Sequence, residues 1–185
     1  MLTMNVTQTS LTGVLLIEPK VFGDERGFFF ESFNARAFRE ATGVTRDFVQ
    51  DNHSHSRHGV LRGLHYQIAQ AQGKLVRAVT GEVFDAVVDL RRSSPTFGRW
   101  EGFVLSAQNK RMLWVPPGFG HGYLVLSESA DFLYKTTDYY APQHERCVIW
   151  NDPTIGVQWP LPDDELTLSA KDRVGVPFAD AEVFP

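Results

Sequence analysis

Short apolar or alternating segments recur along the whole chain and predict a protein built mainly of β-strands. The predicted strands cover residues 13–17, 28–33, 75–79, 83–90, 101–105, 112–115, 123–126, 132–136 and 147–150. Gly, Pro, Asn, Asp and Ser residues separate these segments. Because regularly spaced short strands with turn residues between them are typical of sandwiches and barrels, we expect an all-β fold of one of these types.

Helices are expected to be few, short and peripheral. Residues 35–42 predict one helix, which Asn34 can cap at its first turn and Gly43 can end. A second helical turn is predicted within residues 163–168. The acidic, Pro-containing tail from residue 163 to residue 185 is expected to wrap around the barrel.

The predicted strand at residues 83–90 alternates cleanly between two faces. One face carries Phe84, Ala86, Val88 and Leu90, and the other carries Val83, Asp85, Val87 and Asp89. Carboxylates that share a face with valines suggest a partly polar interior, such as a barrel mouth. A solvent-facing edge strand, with two aspartates that have no functional role, fits the spacing equally well, so both interpretations stay open.

The segment from His58 to Gln67 carries the most suggestive chemistry in the chain. In a regular strand Arg62 and His65 would point to opposite faces, because side chains alternate with a period of two. A break at Gly63 would let both face one pocket, where an anion-binding group beside a base suits a phosphorylated small molecule. The alternative is a strand with one solvated arginine and one hydrogen-bonded histidine.

Composition and charge limit the classes of function. A chain of 185 residues with 43% hydrophobic residues suggests one domain, residues 1–185, with a full core. A net charge of −4 gives no general affinity for nucleic acid, so an anionic ligand must meet a local cluster of Arg and Lys.

No apolar run approaches the roughly 20 residues of a membrane span. Cys147 has no partner for an intrachain disulfide and is expected to be a structural thiol in a soluble, cytoplasmic protein.

The histidines raise the question of a metal site. Small barrels of the cupin type hold a metal through a His-x-His pair, a glutamate and a later histidine that follows a Pro-x-Gly-x-x-His pattern. The later pattern is present and ends at His121, but Gln67 replaces the second histidine of the pair after His65. Ala71 and Gln72 stand where the glutamate would be. Two imidazoles without a carboxylate make a poor divalent site, so we expect a cupin-type jelly-roll barrel without a metal. The pair His53 and His55 is expected to lie in a polar loop.

Short motifs that match one known family are spread over nearly the whole chain. They occupy residues 24–28, 30–32, 50–54, 59–67, 73–76, 81–85, 115–119, 121–122, 134–140, 155–160 and 168–172. Each stretch is a weak signal alone, whereas their combination in this order is specific. Together they resemble the dTDP-4-dehydrorhamnose 3,5-epimerases of the dTDP-L-rhamnose pathway. Gly120 and Tyr123 depart from the family, where Ala and Phe are expected, and neither change alters a reactive group.

The resemblance implies an isomerase that acts on a 4-keto-6-deoxyhexose linked to dTDP. The hydrogens at C3 and C5 lie alpha to the C4 ketone, so inversion needs a base, an acid on the other ring face and positive charge near the C4 oxygen. It needs no metal or redox cofactor. The family pattern assigns the base to His65, its orienting carboxylate to Asp172, the acid to Tyr134 and the cation to Lys74.

The resemblance also implies a set of substrate contacts and a homodimer with exchanged N-terminal strands. The matching positions are Arg26, Glu31, Gln50, Asp51, Asn52, Arg62, Lys74, His121, Tyr140, Glu145 and Lys171. Of these, Arg26, Arg62 and Lys171 suit the pyrophosphate and Tyr140 suits stacking on thymine. The rival functions are a dTDP-keto-sugar 3- or 5-epimerase or 3,4-ketoisomerase, a metal-dependent cupin enzyme and a non-catalytic sugar-nucleotide binding module.

Overall fold

The structure, a computed structural model, describes residues 4–185 and is built mainly of strands. The strands are β1 (Met4–Gln8), β2 (Leu15–Pro19), β3 (Phe22–Asp24), β4 (Gly27–Phe29), β5 (Gln50–Arg57), β6 (Leu61–Gln67), β7 (Lys74–Thr80), β8 (Glu82–Asp89), β9 (Trp100–Ser106), β10 (Met112–Val115), β11 (Phe119–Val125), β12 (Ser129–Thr136) and β13 (Glu145–Cys147). The α-helices are α1 (Ala35–Thr42) and α2 (Ala170–Arg173), and short 3-10 helices cover Pro142–His144, Asp163–Glu165 and Phe178–Asp180.

Two antiparallel sheets face each other across a shared apolar core. A six-stranded sheet has the order β1-β2-β10-β7-β12-β5, and a five-stranded sheet has the order β13-β6-β11-β8-β9. Val76 and Phe132 of the first sheet pack in one buried cluster with Val87 and Phe119 of the second. This two-sheet arrangement confirms the prediction of an all-β, cupin-like barrel with a few short peripheral helices.

Helix α1 has the ends that the sequence predicts. The side chain of Asn34 accepts hydrogen bonds from the backbone N–H groups of Arg36 and Ala37, and Gly43 ends the helix at a φ of 73°. Gly tolerates this left-handed conformation because it has no Cβ. The buried ring of Phe38 fixes the helix against Trp114 of the six-stranded sheet.

The C-terminal tail packs along the barrel, as expected. Isolated bridges pair Thr167 with Val60, Val176 with Val148 and Phe184 with Arg91. The predicted helical turn near residue 163 is a 3-10 helix that ends at Glu165. The tail thereby carries α2 to the middle of β6, where Asp172 contacts Gly63 and His65. Within residues 4–185 no helix is long and apolar enough to cross a membrane.

Three predictions about individual strands need correction. The strand expected at residues 28–33 ends at Phe29, because the following residues lead into the cap of α1. The strand expected at residues 147–150 lies earlier in the chain, as β13, and ends at Cys147. The polar loop expected around His53 and His55 is wrong, because both residues lie in β5. That strand is polar on both faces and therefore carries no hydrophobic alternation that would reveal it.

Candidate active site

The break in the strand at Gly63 is present and brings Arg62 and His65 to the same cavity. Gly63 has a φ of 137°, and the register between β6 and β11 shifts beside it. A Cβ at Gly63 would lie 2.5 Å from the Cα of Gly122, so only glycine allows this close approach of the two strands. Both Arg62 and His65 line the cavity, which confirms the one-pocket interpretation of this segment.

The cavity has a volume of about 290 Å³ and lies between the two sheets. Both sheets and the C-terminal helix contribute to its wall, which is lined by Ser54, Arg62, His65, Lys74, His121, Gly122, Tyr123, Phe132, Tyr134, Ser169, Lys171 and Asp172. Such a mixture of aromatic rings and a few convergent polar groups is typical of a small-molecule site. Tyr123, a departure from the family pattern, stacks on Phe132 and forms a hydrogen bond through its hydroxyl with Ser54.

His65 and Asp172 form a short hydrogen-bonded pair. The Nε2 atom of His65 lies 2.6 Å from Oδ1 of Asp172, and the other carboxylate oxygen accepts a 2.6 Å bond from Ser169. Burial opposes ionisation of Asp172, but hydrogen bonds from His65 and Ser169 outweigh it and hold the pKa of the carboxyl below its usual range. An ionised carboxylate only accepts hydrogen bonds. His65 therefore donates from Nε2, and its Nδ1 atom carries the lone pair of a base.

Tyr134 enters the same cavity from the opposite sheet. It lies in β12 between Asn52 of β5 and Val76 of β7. Burial, helped by the neighbouring phenol of Tyr123, raises the pKa of Tyr134, although the charge of Arg62 works in the other direction. The hydroxyl group therefore stays protonated at neutral pH and is able to donate a proton.

Lys74 places a cation beside the base. Its Nζ atom lies 3.4 Å from the backbone oxygen of His65. Burial lowers the pKa of Lys74 to about 8, while the charges of Asp85 and Glu145 oppose the change. The amine is therefore mostly charged at neutral pH and poorly hydrated, which strengthens its interaction with any anion formed in the cavity.

A second histidine–carboxylate pair adjoins the cavity, which His121 lines. The Nε2 atom of His121 lies 2.9 Å and 3.1 Å from the two carboxylate oxygens of Asp85, which is fully buried. Burial raises the pKa of Asp85 above its usual range, although His121 and Lys74 act in the opposite direction. Asp85 is absent from the family-based site residues. The sequence signal for this residue was its position on one strand face with valines. Asp85 and Asp89 are both buried, which confirms that this face of the strand forms a partly polar interior.

Further predicted residues gather next to the cavity mouth. The carboxylate of Glu145 accepts hydrogen bonds from Tyr140, at 2.7 Å, and from Lys171, which itself lines the cavity. The side chain of Gln50 accepts a 2.9 Å bond from the backbone N–H of Tyr140. The ring of Tyr140 is half exposed.

Four other predicted substrate-contact residues lie outside the set that lines the cavity. The Nδ2 atom of Asn52 is buried and has no hydrogen-bond partner among residues 4–185, so it can donate to a ligand. Asp51 lies on the other face of the same strand, paired with Lys135. Arg26 pairs with Asp24 on the exposed β3–β4 hairpin, and Glu31 accepts a bond from Asn34. None of these last three side chains reaches the cavity of its own chain.

Gln67 stands where a cupin metal site has its second histidine, and its side chain makes structural hydrogen bonds. Gln67 donates to the backbone oxygens of Gln70 and Tyr139 and accepts a bond from the backbone N–H of Ala141. It is buried and ties two loops together. The residues that remain therefore do not fit the metal centre of a cupin enzyme.

Comparisons with known proteins agree with this geometry. A family model described as dTDP-4-dehydrorhamnose 3,5-epimerase matches residues 8–180. Proteins of that name from Pseudomonas aeruginosa and Shigella flexneri are 65% and 58% identical, and each alignment covers 98% of this chain and at least 99% of the relative. The crystal structure of the Legionella pneumophila dTDP-6-deoxy-D-glucose-3,5-epimerase, in complex with dTDP-4-keto-L-rhamnose, superposes with a TM-score of 0.94 at 51% identity. The superposition covers 97% of this chain and 95% of the Legionella chain.

The match extends over almost the whole chain and includes the strands that form the cavity. Identity of this degree over full-length relatives, together with a barrel of the same shape, leaves one assignment. The chain belongs to the dTDP-4-dehydrorhamnose 3,5-epimerase family of isomerases.

Proposed function

We propose that this chain converts dTDP-4-dehydro-6-deoxy-D-glucose into dTDP-4-dehydro-L-rhamnose by inverting C3 and C5. The observation that supports it most is the presence of the His65–Asp172 pair and the Tyr134 phenol in one cavity between the sheets. The test is proton NMR of the product after incubation with chelator-treated enzyme. Inversion at one centre would indicate a narrower 3- or 5-epimerase, and an unchanged sugar would indicate a mere binding module.

In this mechanism the Nδ1 atom of His65 accepts the proton from the carbon next to the C4 ketone. The electron pair of the broken C–H bond moves to the C4 oxygen and gives an enolate. Tyr134 then donates its phenolic proton to the same carbon from the other ring face, which inverts the centre. Solvent removes the proton from His65 and returns one to Tyr134, so the enzyme is ready for the second centre.

Lys74 provides the positive charge that the enolate needs. A poorly hydrated ammonium group stabilises an oxyanion more strongly than a solvated one does, because little water screens it. Asp85, which is paired with His121, helps to keep this charge, because its carboxylate favours the protonated form of Lys74. We infer that the sugar lies with its C4 oxygen toward Lys74.

The charge of Lys74 should make catalysis fall as the pH rises. Its pKa of about 8 means that the amine loses its charge above that pH, and stabilisation of the enolate is lost with it. We therefore expect kcat/KM of the wild-type enzyme to decrease above about pH 8. Lys74→Met should lack this decrease at its lower overall activity. A wild-type profile that remains flat far above this pH would contradict the role of Lys74.

Replacing Tyr134 by phenylalanine should separate removal of the proton from its return. The variant keeps His65, so it should still exchange substrate hydrogens with heavy water, while conversion to the inverted product falls by about a hundredfold. NMR of the recovered sugar measures both quantities in one sample. Tyr123→Phe, which removes a neighbouring phenol from the same cavity, is the matched control. Product formation at the wild-type rate in Tyr134→Phe would exclude the phenol as the acid.

The nucleotide is proposed to bind at the mouth of the cavity. Arg62 and Lys171 supply charge for the pyrophosphate, and the exposed ring of Tyr140 provides a surface for thymine. Base–aromatic stacking contributes about 1–3 kcal/mol in nucleic-acid complexes, and a similar contribution is expected here. Gln50, Glu145 and the unpartnered amide of Asn52 position these groups or bind the ligand directly.

The site is proposed to be completed by a second copy of the chain, in a homodimer with exchanged N-terminal segments. The β3–β4 hairpin exposes the rings of Phe28 and Phe29, which are 63% and 64% accessible. Large exposed aromatic rings on a projecting hairpin indicate a surface that another chain covers. Arg26 and Glu31 lie on or just after this hairpin and would enter the cavity of the partner, which explains why neither reaches its own.

Mixed dimers test this exchange. Arg26→Ala should weaken substrate binding about tenfold, the loss of one hydrogen bond to a charged group. A heterodimer of His65→Ala and Arg26→Ala chains, isolated through two affinity tags and assayed with substrate well below KM, should have about half of the wild-type activity because one of its two sites is intact. Activity no higher than that of the Arg26→Ala homodimer would mean that each chain builds its own site.

We further propose that residues 1–185 act as one domain in the cytoplasm. A single cysteine suits a reducing compartment, and a nucleotide sugar is a metabolite of the cell interior.

A further inference from the structure

Cys147 lies beside the His65–Asp172 pair, although the proposed reaction makes no use of a thiol. In the antiparallel pairing of β13 with β6, Cys147 is directly opposite His65. Residues opposite each other in such a pair project their side chains to the same face, with Cβ atoms about 4.5–5.5 Å apart. Helix α2 then brings Asp172 to the same point from the C-terminal tail.

The three side chains offer three of the four ligands of a tetrahedral site for a thiophilic cation. One ligand atom each from His65, Cys147 and Asp172 lies within 4.8 Å of the other two. The sulfur is held only weakly, by a 3.4 Å contact with the backbone oxygen of Val148. Imidazole nitrogen, thiolate sulfur and carboxylate oxygen are the donors that zinc prefers, at about 2.0–2.3 Å, and shifts of about 1 Å would bring them into tetrahedral positions.

We propose that this cluster is an inhibitory zinc site: Zn²⁺ binds His65, Cys147 and Asp172, with its fourth position open to the cavity. A thiolate and a carboxylate neutralise the charge of the ion, and the thiol proton is released to solvent. Lys171, whose charge acts on Cys147, is already paired with Glu145. His65 and Asp172 line the cavity, so the ion has a path to the cluster.

Inhibition follows from the chemistry of imidazole. A neutral ring has one nitrogen with a proton and one with a lone pair. Whichever nitrogen binds zinc, the other carries the proton, so the ring no longer accepts a proton from a substrate carbon. The site is therefore distinct in kind from the metal centre of a cupin enzyme, because occupation stops the reaction. This consequence rests on the proposed role of His65, whereas zinc binding itself does not.

Metal binding is measured first without substrate, since a pyrophosphate would itself bind the ion. Co²⁺ serves as the spectroscopic probe for the same site. We expect wild-type protein to develop a sulfur-to-cobalt charge-transfer band that zinc abolishes and that Cys147→Ser lacks. Absence of the band in folded wild-type protein would overturn the site, whether or not the protein is an epimerase.

Activity is measured next, with free Zn²⁺ set by a metal buffer and Mg²⁺ as the control ion. Cys147→Ser and Cys147→Ala should keep the basal turnover and require about tenfold more free zinc for half-inhibition. The double variant His53→Ala/His55→Ala, which removes the exposed histidines of β5, should be inhibited like the wild type. Equal sensitivity of the wild type and both Cys147 variants would overturn the proposal, as would loss of sensitivity in the double variant. Zinc bound at the cluster without inhibition would instead contradict the role of His65.

Discussion

His65→Ala is expected to abolish exchange of the hydrogens at both C3 and C5. A positioned general base contributes about 10²- to 10⁴-fold, and one imidazole serves both centres in the proposed mechanism, so kcat/KM should fall by about a thousandfold. This corresponds to about 4 kcal/mol of transition-state stabilisation. Exchange followed by proton NMR in heavy water measures each carbon separately.

The matched control for this variant is His55→Ala, which removes an exposed imidazole that contacts Asp131 on the outer face of β5. It should leave exchange unchanged. Because His65→Ala leaves Asp172 buried without its histidine partner, the variant's circular dichroism spectrum and thermal unfolding need to match those of the wild type. Exchange at the normal rate at either carbon of a folded His65→Ala protein would show that the base is another residue.

Lys74→Met is expected to have the second-largest effect. Methionine fills a similar volume without charge, so the variant removes the cation that faces the enolate oxygen. Loss of one preorganised group of this kind costs about 10²- to 10³-fold in kcat, or about 2.7–4 kcal/mol. Binding of the ground-state ketone depends less on this charge, so KM should change little in comparison.

The split between kcat and KM distinguishes this role from simple substrate binding. If Lys74 only bound the substrate, Lys74→Met would raise KM and leave kcat unchanged. Lys135→Met, which removes a lysine paired with Asp51 on the opposite face of the sheet, is the control and should leave both constants unchanged. A kcat of the wild-type value in Lys74→Met would reject stabilisation of the enolate by this residue.

The sequence predicted those parts of the fold whose side chains alternate in hydrophobicity or carry clear end signals. Helix α1 has the cap at Asn34 and the left-handed Gly43 that its sequence indicates. In β8 the alternation placed Asp85 on one face with two valines and left open whether that face is buried, and the structure shows Asp85 buried against His121. Strand β5 could not be predicted in this way, because polar side chains cover both of its faces, including the one that forms the cavity wall.

The long-range contacts of the site could not be derived from local patterns. His65 and Asp172 are 107 positions apart, and the contact depends on a tail that crosses the barrel to reach β6. Family resemblance supplied that pairing. The position of Cys147 opposite His65 came from strand register alone, which a sequence does not specify when the paired strand is as short as β13.

The central claim is that one cavity removes and returns protons at two carbons of the same keto sugar. The most direct test is a time course of deuterium incorporation from heavy water into dTDP-4-dehydro-6-deoxy-D-glucose, followed by proton NMR. The wild-type enzyme is expected to replace the hydrogens at both C3 and C5 with deuterium and to accumulate the doubly inverted product. Retention of the original hydrogen at either carbon throughout the incubation would contradict the claim.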